Sequence, residues 1–306
     1  MKTNYVSLII GLALAFTSCE KDEVDLSNDY TRPEFSTSVE SVVSMDAALE
    51  DVVEATGYEI DLFSGSTEAI NSDFTEETAS SATLKSGNTG WKSRYAAGQC
   101  PLITIESAEG GFPKTISLNY GEQTELANGR VLRGVIKIVL SEPLRNIGSK
   151  REVTFEGFSI DTIGVEGTKV FTTLKNANER EVNIVRNLIF TFPDASFIEH
   201  SSDKTRIWTA GLDTPFNHFD DVIEVTGFST NRDSDENEYE RKIVKRLVLK
   251  GNCRFIVSGA VEYYKNGQLF ATIDYGNGEC DNQATITTAN GTFEFIIGRR
   301  LAWKNK

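Results

Sequence analysis

The sequence is poor in the residues and motifs on which most enzyme active sites depend. Only two histidines, His200 and His218, occur in 306 residues. There is no Gly-x-Ser-x-Gly nucleophile motif, no phosphate-binding glycine loop and no His-Glu-x-x-His zinc motif. The remaining carboxylates cannot be paired from sequence alone, because a glycosidase needs two of them at a set separation across a cleft. We therefore predict no catalytic residue and no cofactor.

An excess of positive charge is also absent. The formal net charge is −14, and binding to nucleic acid needs clustered Lys and Arg that release counterions. Nucleic acid is therefore excluded as a partner. Residues 19–90 hold 17 acidic and three basic residues, whereas residues 91–306 hold 28 acidic and 27 basic ones. The acidity belongs to the N-terminal segment, and the body of the chain is nearly neutral.

The apolar run at the N-terminus is short. The eleven residues Val6–Phe16 would span about 16 Å as a helix, roughly half of a bilayer's hydrocarbon core, which disfavours a transmembrane anchor. Lys2 precedes this run, and small residues separate it from Cys19. This pattern predicts a cleaved signal peptide over residues 1–18. The alternative is a buried N-terminal helix with an incidental cysteine.

The residues around Cys19 resemble a bacterial lipoprotein signal, with Phe16 where Leu is the usual residue. The segment Glu20-Lys21-Asp22-Glu23 resembles the acidic export signal of surface lipoproteins in the Bacteroidota. The resemblance implies that Cys19 becomes the first mature residue and carries acyl chains such as palmitate. Several chains, at about 0.8 kcal/mol per buried methylene, anchor stably. We therefore expect a lipid-anchored protein of the outer membrane, exposed at the cell surface, with the membrane itself as a partner.

Residues 19–90 are rich in Asp, Glu, Ser and Thr, a composition that predicts a solvated acidic tether. One part of the segment differs. Within residues 38–55, valines and leucines recur at helical spacing with acids between them, which predicts one amphipathic helix. We favour docking of this helix on the body of the protein over binding to a separate partner.

The body, residues 91–306, predicts an all-β domain. Runs rich in Val, Ile, Phe and Thr alternate with polar residues and are separated by Gly, Asn and Asp. We expect about a dozen antiparallel strands, arranged either as a β-sandwich or as an extended curved sheet.

The clearest hairpin signal is Asn266-Gly267, because both central residues of a type I′ turn need positive φ. With a two-residue turn, the numbers of paired residues sum to 533, which places Cys253 opposite Cys280. In an oxidising location this pair predicts a disulfide. A bulge near Gly259 or at 276–278 would adjust the spacing, and zinc binding by the two cysteines is the alternative.

An earlier segment is similar to this hairpin. Cys100 leads to Asn119-Tyr120-Gly121 much as Cys253 leads to Asp274-Tyr275-Gly276. The similarity indicates two related hairpins. No second cysteine follows Gly121, so we expect Cys100 to be a free, buried thiol.

Three stretches, DYGNGECDN at 274–282, GRVLRGVIKI at 129–138 and RIWTAG at 206–211, are similar to a group of uncharacterised Bacteroidota lipoproteins. The resemblance covers most of residues 91–306. It implies a shared location and fold, and it carries no activity.

Two acidic regions were considered as metal sites. His200 and His218 lie in a loop-like region with several aspartates, but their spacing fits no known ligand set, and exposed loop residues explain them equally well. The segment 233–244 matches a calcium loop at its first, third and fifth positions, yet Glu238 replaces the glycine and Val244 the final glutamate. A hydrated hairpin tip is the better interpretation, and we predict no metal.

Three functions remain compatible with the sequence. The first is a non-catalytic binding or scaffolding domain on a surface lipoprotein, with a glycan or protein as ligand. The second is a hydrolase of extracellular polymers. The third is a carrier that holds an apolar ligand in the concavity of a curved sheet.

Overall fold

A single antiparallel sheet accounts for most of the described chain. The computed structural model describes residues 37–70, 94–109, 111–176, 179–214 and 219–296, all within the unit Pro33–Lys306. The elements are α1 (Thr37–Ile70), β1 (Leu102–Ser107), β2 (Lys114–Asn119), β3 (Thr124–Glu125), β4 (Val131–Leu140), β5 (Lys150–Ile160), β6 (Ile163–Lys175), β7 (Arg180–Thr191), β8 (Phe197–Ala210), β9 (Val222–Asp233), β10 (Glu238–Lys250), β11 (Ile256–Lys265), β12 (Gln268–Asn277), β13 (Gln283–Thr288) and β14 (Gly291–Ile296).

The 14 strands follow one another in chain order. From β4 to β14 every strand pairs with the next one, and the two-residue β3 pairs beside β2 on the edge of β4. Strands β1 and β14 form the two edges. The all-β prediction is confirmed, and of its two forms the structure has the extended sheet rather than the sandwich. No helix within the described ranges is long and apolar enough to cross a bilayer.

Helix α1 packs against the inner face of this sheet. Its buried apolar residues are Val42, Leu49, Val52, Val53, Ala55, Ile60 and Phe63. Most of them join a core with strands β2 to β8, whereas Val42 joins a second core with strands β10 to β13. Strands far apart in the sheet therefore contact the same helix, which means that the sheet curves around it.

The docking of the predicted helix is confirmed, but its predicted end at residue 55 is wrong. The helix continues to Ile70, and the turns after Ala55 bury Thr56, Glu59 and Ser64. These polar residues interrupt the apolar spacing. The hydroxyls of Thr56 and Ser64 donate to carbonyls within the helix, at 2.9 and 2.5 Å. The sequence pattern is therefore lost where the helix is most deeply buried.

The hairpin β11–β12 has the predicted turn. Asn266 and Gly267 have φ values of 49° and 78°, and Lys265 pairs with Gln268 as expected. The register then shifts at two bulges, and one of them lies at Gly259. There, a Cβ atom would approach the Arg246 carbonyl oxygen to 2.3 Å, so only glycine fits.

The disulfide between Cys253 and Cys280 is present, with a Cα–Cα distance of 5.7 Å. The two cysteines lie just beyond the paired residues of β11 and β12. The bond therefore joins the two chain segments at the open end of the hairpin and does not link two paired strand residues.

The similarity between the two hairpins is also visible in the structure. Asn119 accepts a hydrogen bond from the Gly121 backbone, and Asp274 accepts one from the Gly276 backbone. The tyrosine between them is buried in both hairpins. The prediction for Cys100 is half right, because this cysteine is free but exposed. It precedes β1, an edge strand, so little of the sheet is available to cover it.

Candidate functional site

Among the residues that the structure describes, five ion pairs join α1 to the sheet. In every pair the carboxylate belongs to the helix, and the cation belongs to the sheet or to a segment leading into it. The pairs are Asp46–Arg241 at 3.5 Å, Asp51–Arg130 at 3.0 Å, Asp61–Arg151 at 2.7 Å, Glu50–Lys204 and Glu59–Arg94. The acidity of the N-terminal segment is thus partly used inside the fold, where it is complementary to a cationic inner face.

Glu59 is fully buried at the end of this interface near β2. Besides Arg94, it accepts hydrogen bonds from the hydroxyls of Tyr95, at 2.5 Å, and Tyr120, at 2.8 Å. Burial raises the pKa of both tyrosines, and the negative charge of Glu59 raises it further. Both hydroxyls therefore remain protonated donors, and the arrangement fixes the helix to the start of the sheet.

Asp46 has an equivalent position near the other end of the sheet. It accepts a hydrogen bond from the Tyr263 hydroxyl at 3.0 Å and lies beside Arg241. Burial and the charge of Asp46 raise the pKa of Tyr263. Each end of the sheet thus holds one helix carboxylate with an arginine and tyrosine hydroxyls.

Glu50 lies between these two clusters and faces several cations. Burial alone would raise its pKa, but Lys204, Arg186 and Arg241 outweigh burial and hold the pKa well below its usual value. Glu50 is therefore ionised, and its hydrogen bond goes to Lys204.

A row of polar side chains crosses five strands opposite α1. Lys169 on β6 pairs with Arg186 on β7, Arg186 with Ser202 on β8, Ser202 with Ser229 on β9, and Ser229 with Arg241 on β10. All five residues are buried; Lys169 and Arg186 are each 3% exposed. The inner face at this row is therefore both buried and cationic.

Two cations of this row form no direct ion pair with a carboxylate of the described residues. The ion pairs within the described ranges include neither Lys169 nor Arg186. Arg186 Nη1 donates to the Ser202 hydroxyl at 3.3 Å, while Arg186 Nε, Ser229 Oγ and His200 Nε2 are buried without any partner. These three atoms belong to the residues that surround Ser202 on the inner face.

The opposite, outer face carries an open cavity of about 670 Å³. Its side chains come from two cross-strand rows on strands β7 to β10: Asn187, Ser201, Thr230 and Glu240, then Ile189, Glu199, Arg232 and Glu238. Most of these residues are exposed. The cavity is an open surface depression rather than an enclosed pocket.

The predicted metal candidates are not brought together. The prediction from the sequence that His200 lies in a loop is wrong. His200 is a buried residue of β8, and its Nδ1 lies 2.7 Å from the Asn231 side-chain oxygen. Burial lowers its pKa. His218 lies outside the described residues. Across the described ranges, no three His, Cys, Asp or Glu residues form a group that could hold a metal ion.

The acidic segment after Asp233 is the tip of the β9–β10 hairpin, as expected. Asp233 Oδ1 accepts hydrogen bonds from the backbone amides of Asp235 and Asn237, at 3.0 and 2.9 Å. The carboxylate that a calcium ion would need is therefore engaged in closing the turn.

The lipidation site, Cys19, lies outside the described residues, as does the signal peptide over residues 1–18. The sequence predicts no catalytic, cofactor-binding or partner-binding residue within the described ranges. The chain matches no protein-family model, no curated protein and no solved structure. The site therefore has to be interpreted from its own geometry.

The buried cations of the inner face were missed by sequence reasoning. One signal was present: in β7, Arg186 has the same strand phase as the apolar residues Ile184, Leu188 and Phe190. A charge in the apolar phase indicates either a buried ion or a slip in register. Its meaning depends on α1, which lies more than 100 residues earlier in the chain.

Proposed function

We propose that this chain is an outer-membrane lipoprotein, anchored through Cys19 and exposed at the cell surface, whose β-domain binds or scaffolds a glycan or protein without catalysis. The occupation of the inner face by α1 is the observation that carries this proposal. Five ion pairs and two apolar cores commit that face to the protein's own helix. A glycan or protein ligand therefore contacts the outer face, the edge strands or the hairpin tips.

The same observation disfavours the apolar carrier. A carrier needs a concavity that is free and mostly apolar, whereas α1 fills this one and faces it with carboxylates. It also bears on the hydrolase. Shifted pKa values mark candidate catalytic groups, but here the buried shifted groups, such as Glu50 and Tyr120, are explained by contacts between α1 and the sheet.

The distance from the anchor to the fold suits a surface protein. Cys19 precedes the first residue of α1, Thr37, by 18 positions (37 minus 19). A fully extended chain of that length spans at most about 60 Å. The domain thus stays within that distance of the membrane while its outer face remains accessible.

The anchoring is tested by metabolic labelling with an alkyne analogue of palmitate in a Bacteroidota host. The wild-type chain should be labelled and should be degraded when intact cells are treated with protease. Cys19→Ser should lose the label, and the matched control Cys100→Ser should keep it. Equal labelling of all three chains would contradict the proposal, and so would the absence of label from all three.

The binding role is tested with the purified mature chain on a glycan array and by affinity capture from intact cells. Retention of a glycan or protein without any change in its mass supports non-catalytic binding. Turnover of a bound glycan would instead identify a hydrolase.

A further inference from the structure

We propose that the inner face binds one hydrogen phosphate ion beside Ser202, between Lys169, Arg186, Ser229 and His200. This inference is independent of the membrane anchor and of the outer-face ligand. It rests on unpartnered buried atoms, on charge and on the small side chains at the centre of the row.

The first argument is the charge of the row. Lys204 and Arg241 form ion pairs with Glu50 and Asp46. Lys169 and Arg186, directly opposite each other on β6 and β7, form no ion pair within the described residues, and Asp61 and Glu50 act on them only at longer range. Two adjacent buried cations are costly unless an anion accompanies them. Burial and the nearby Arg186 lower the pKa of Lys169 well below its usual value, and the charge of Asp61 does not offset them.

The second argument is the set of unpartnered atoms. Ser202 is flanked by Arg186 on β7 and Ser229 on β9, and His200 lies two residues earlier on the same face of β8. Arg186 Nε, Ser229 Oγ and His200 Nε2 all lack a hydrogen bond. Buried polar atoms in native proteins are nearly always satisfied, so a group of three indicates a bound water or ion.

The third argument is the space around these atoms. Ser202 and Ser229 are small, and they separate the long side chains of Arg186 and Arg241 along the row. On the helix, Gly57 faces Lys169, and a Cβ atom at Gly57 would lie 3.3 Å from Lys169 Nζ. The Lys169 ammonium thus packs directly against Gly57, while the two serines keep the centre of the row free of long side chains.

The chemistry favours phosphate over other small anions. Arginine and lysine donate to its oxygens, and the serine hydroxyl can do the same. His200 Nδ1 faces the Asn231 side-chain oxygen and donates to it, so Nε2 of the neutral ring is an acceptor. A hydrogen phosphate has an O–H group for this nitrogen, whereas sulfate and chloride have none at neutral pH. A water molecule could satisfy Nε2 but would not neutralise the two cations.

The proposal is tested by thermal unfolding of the full mature chain in phosphate, sulfate and chloride at equal ionic strength. A ligand that binds only the folded state raises the midpoint steadily as its concentration exceeds Kd. We expect this rise in phosphate, and a smaller one in sulfate that reflects only its general stabilising effect. Equal midpoints in phosphate and sulfate would overturn the proposal.

Two serine variants locate the effect. Ser229→Ala should lose most of the phosphate response, and so should Arg186→Met. The control is Ser201→Ala. The side chain of Ser201 lies on the outer face and lines the open cavity, so this variant should keep the full phosphate response. A loss in Ser201→Ala with retention in Ser229→Ala would place the ion outside and refute the inner site.

Crystals grown in arsenate provide a direct measurement. Arsenate has the shape and protonation of phosphate, and its anomalous signal locates the arsenic atom. A peak between Arg186 and Ser229 is the expected result. Density for water alone at that position would overturn the proposal.

Discussion

Glu50 and Lys169 show that one interface affects two buried charges in opposite ways. The cations around Glu50 overcome the effect of burial and lower its pKa, so its ionised form stabilises the fold at neutral pH. Burial and the neighbouring Arg186 lower the pKa of Lys169, and the opposing charge of Asp61 does not offset them. In the absence of a bound anion, the charge of Lys169 therefore destabilises the fold.

We predict that Lys169→Met stabilises the protein in phosphate-free buffer at pH 7. Replacing an unpaired buried ammonium by an apolar side chain of similar length should raise the free energy of unfolding by about 1–3 kcal/mol. Urea unfolding followed by circular dichroism measures this change. The matched control, Lys175→Met, affects an exposed lysine and should shift stability by less than about 1 kcal/mol.

The pH dependence follows from the same shift. Lys169 has a lower pKa in the folded chain than its ordinary value of 10.5, so the unfolded chain binds more protons between the two values. Wild-type stability should therefore rise as pH increases toward about 10, and Lys169→Met should show a smaller rise. Identical slopes in the two proteins would show that folding does not lower the pKa of Lys169.

At the scale of single elements, the sequence predicts local features well and distant contacts poorly. The turn at Asn266-Gly267 and the bulge at Gly259 depend on backbone preferences of a few residues, and both are found. The inward position of Arg186 and the length of α1 depend on contacts between the helix and strands far along the chain. No local pattern encodes such contacts. Glu59 and Arg186 can be buried only because the acidic face of α1 packs against the cationic inner face of the sheet.

The disulfide belongs to the hairpin β11–β12, and its removal gives a prediction for that element. Cys253 and Cys280 are separated by 27 positions, and a crosslink over such a loop stabilises the folded chain by about 3.5 kcal/mol. Cys253→Ser/Cys280→Ser should lower the free energy of unfolding by about this amount. Urea unfolding with and without reductant measures it.

Cys100→Ser is the control for this experiment. Its thiol is free and exposed, so the variant should match the wild type in both conditions. If reductant lowers the stability of the double variant as much as that of the wild type, the effect does not come from this bond.

At the scale of the whole molecule, α1 is a part of the β-domain rather than a part of the tether before it. Residues 91–306, which the sequence marks as the domain, leave out seven buried apolar residues of α1 and five carboxylates that pair with the sheet. Without the helix, the cationic row of the inner face would meet solvent and the two apolar cores would be open.

We predict that a chain starting at Trp91 does not reach the native state. It should bind the dye ANS strongly and lack a cooperative unfolding transition. A chain starting at Pro33 keeps α1 and should unfold cooperatively, like the mature protein. Cooperative unfolding of the shorter chain would show that the sheet folds without its helix.

The position of α1 in the chain has a consequence for the order of folding. Each strand from β4 onward pairs with its predecessor, so the sheet can grow locally as the chain emerges. The helix is made first, yet the contact between Asp46 and Tyr263 joins residues 217 positions apart. Contacts of such long range form slowly. The first of the described elements to be synthesised is therefore among the last to be fixed, and until β11 arrives its acidic face stays available to other partners of the nascent chain.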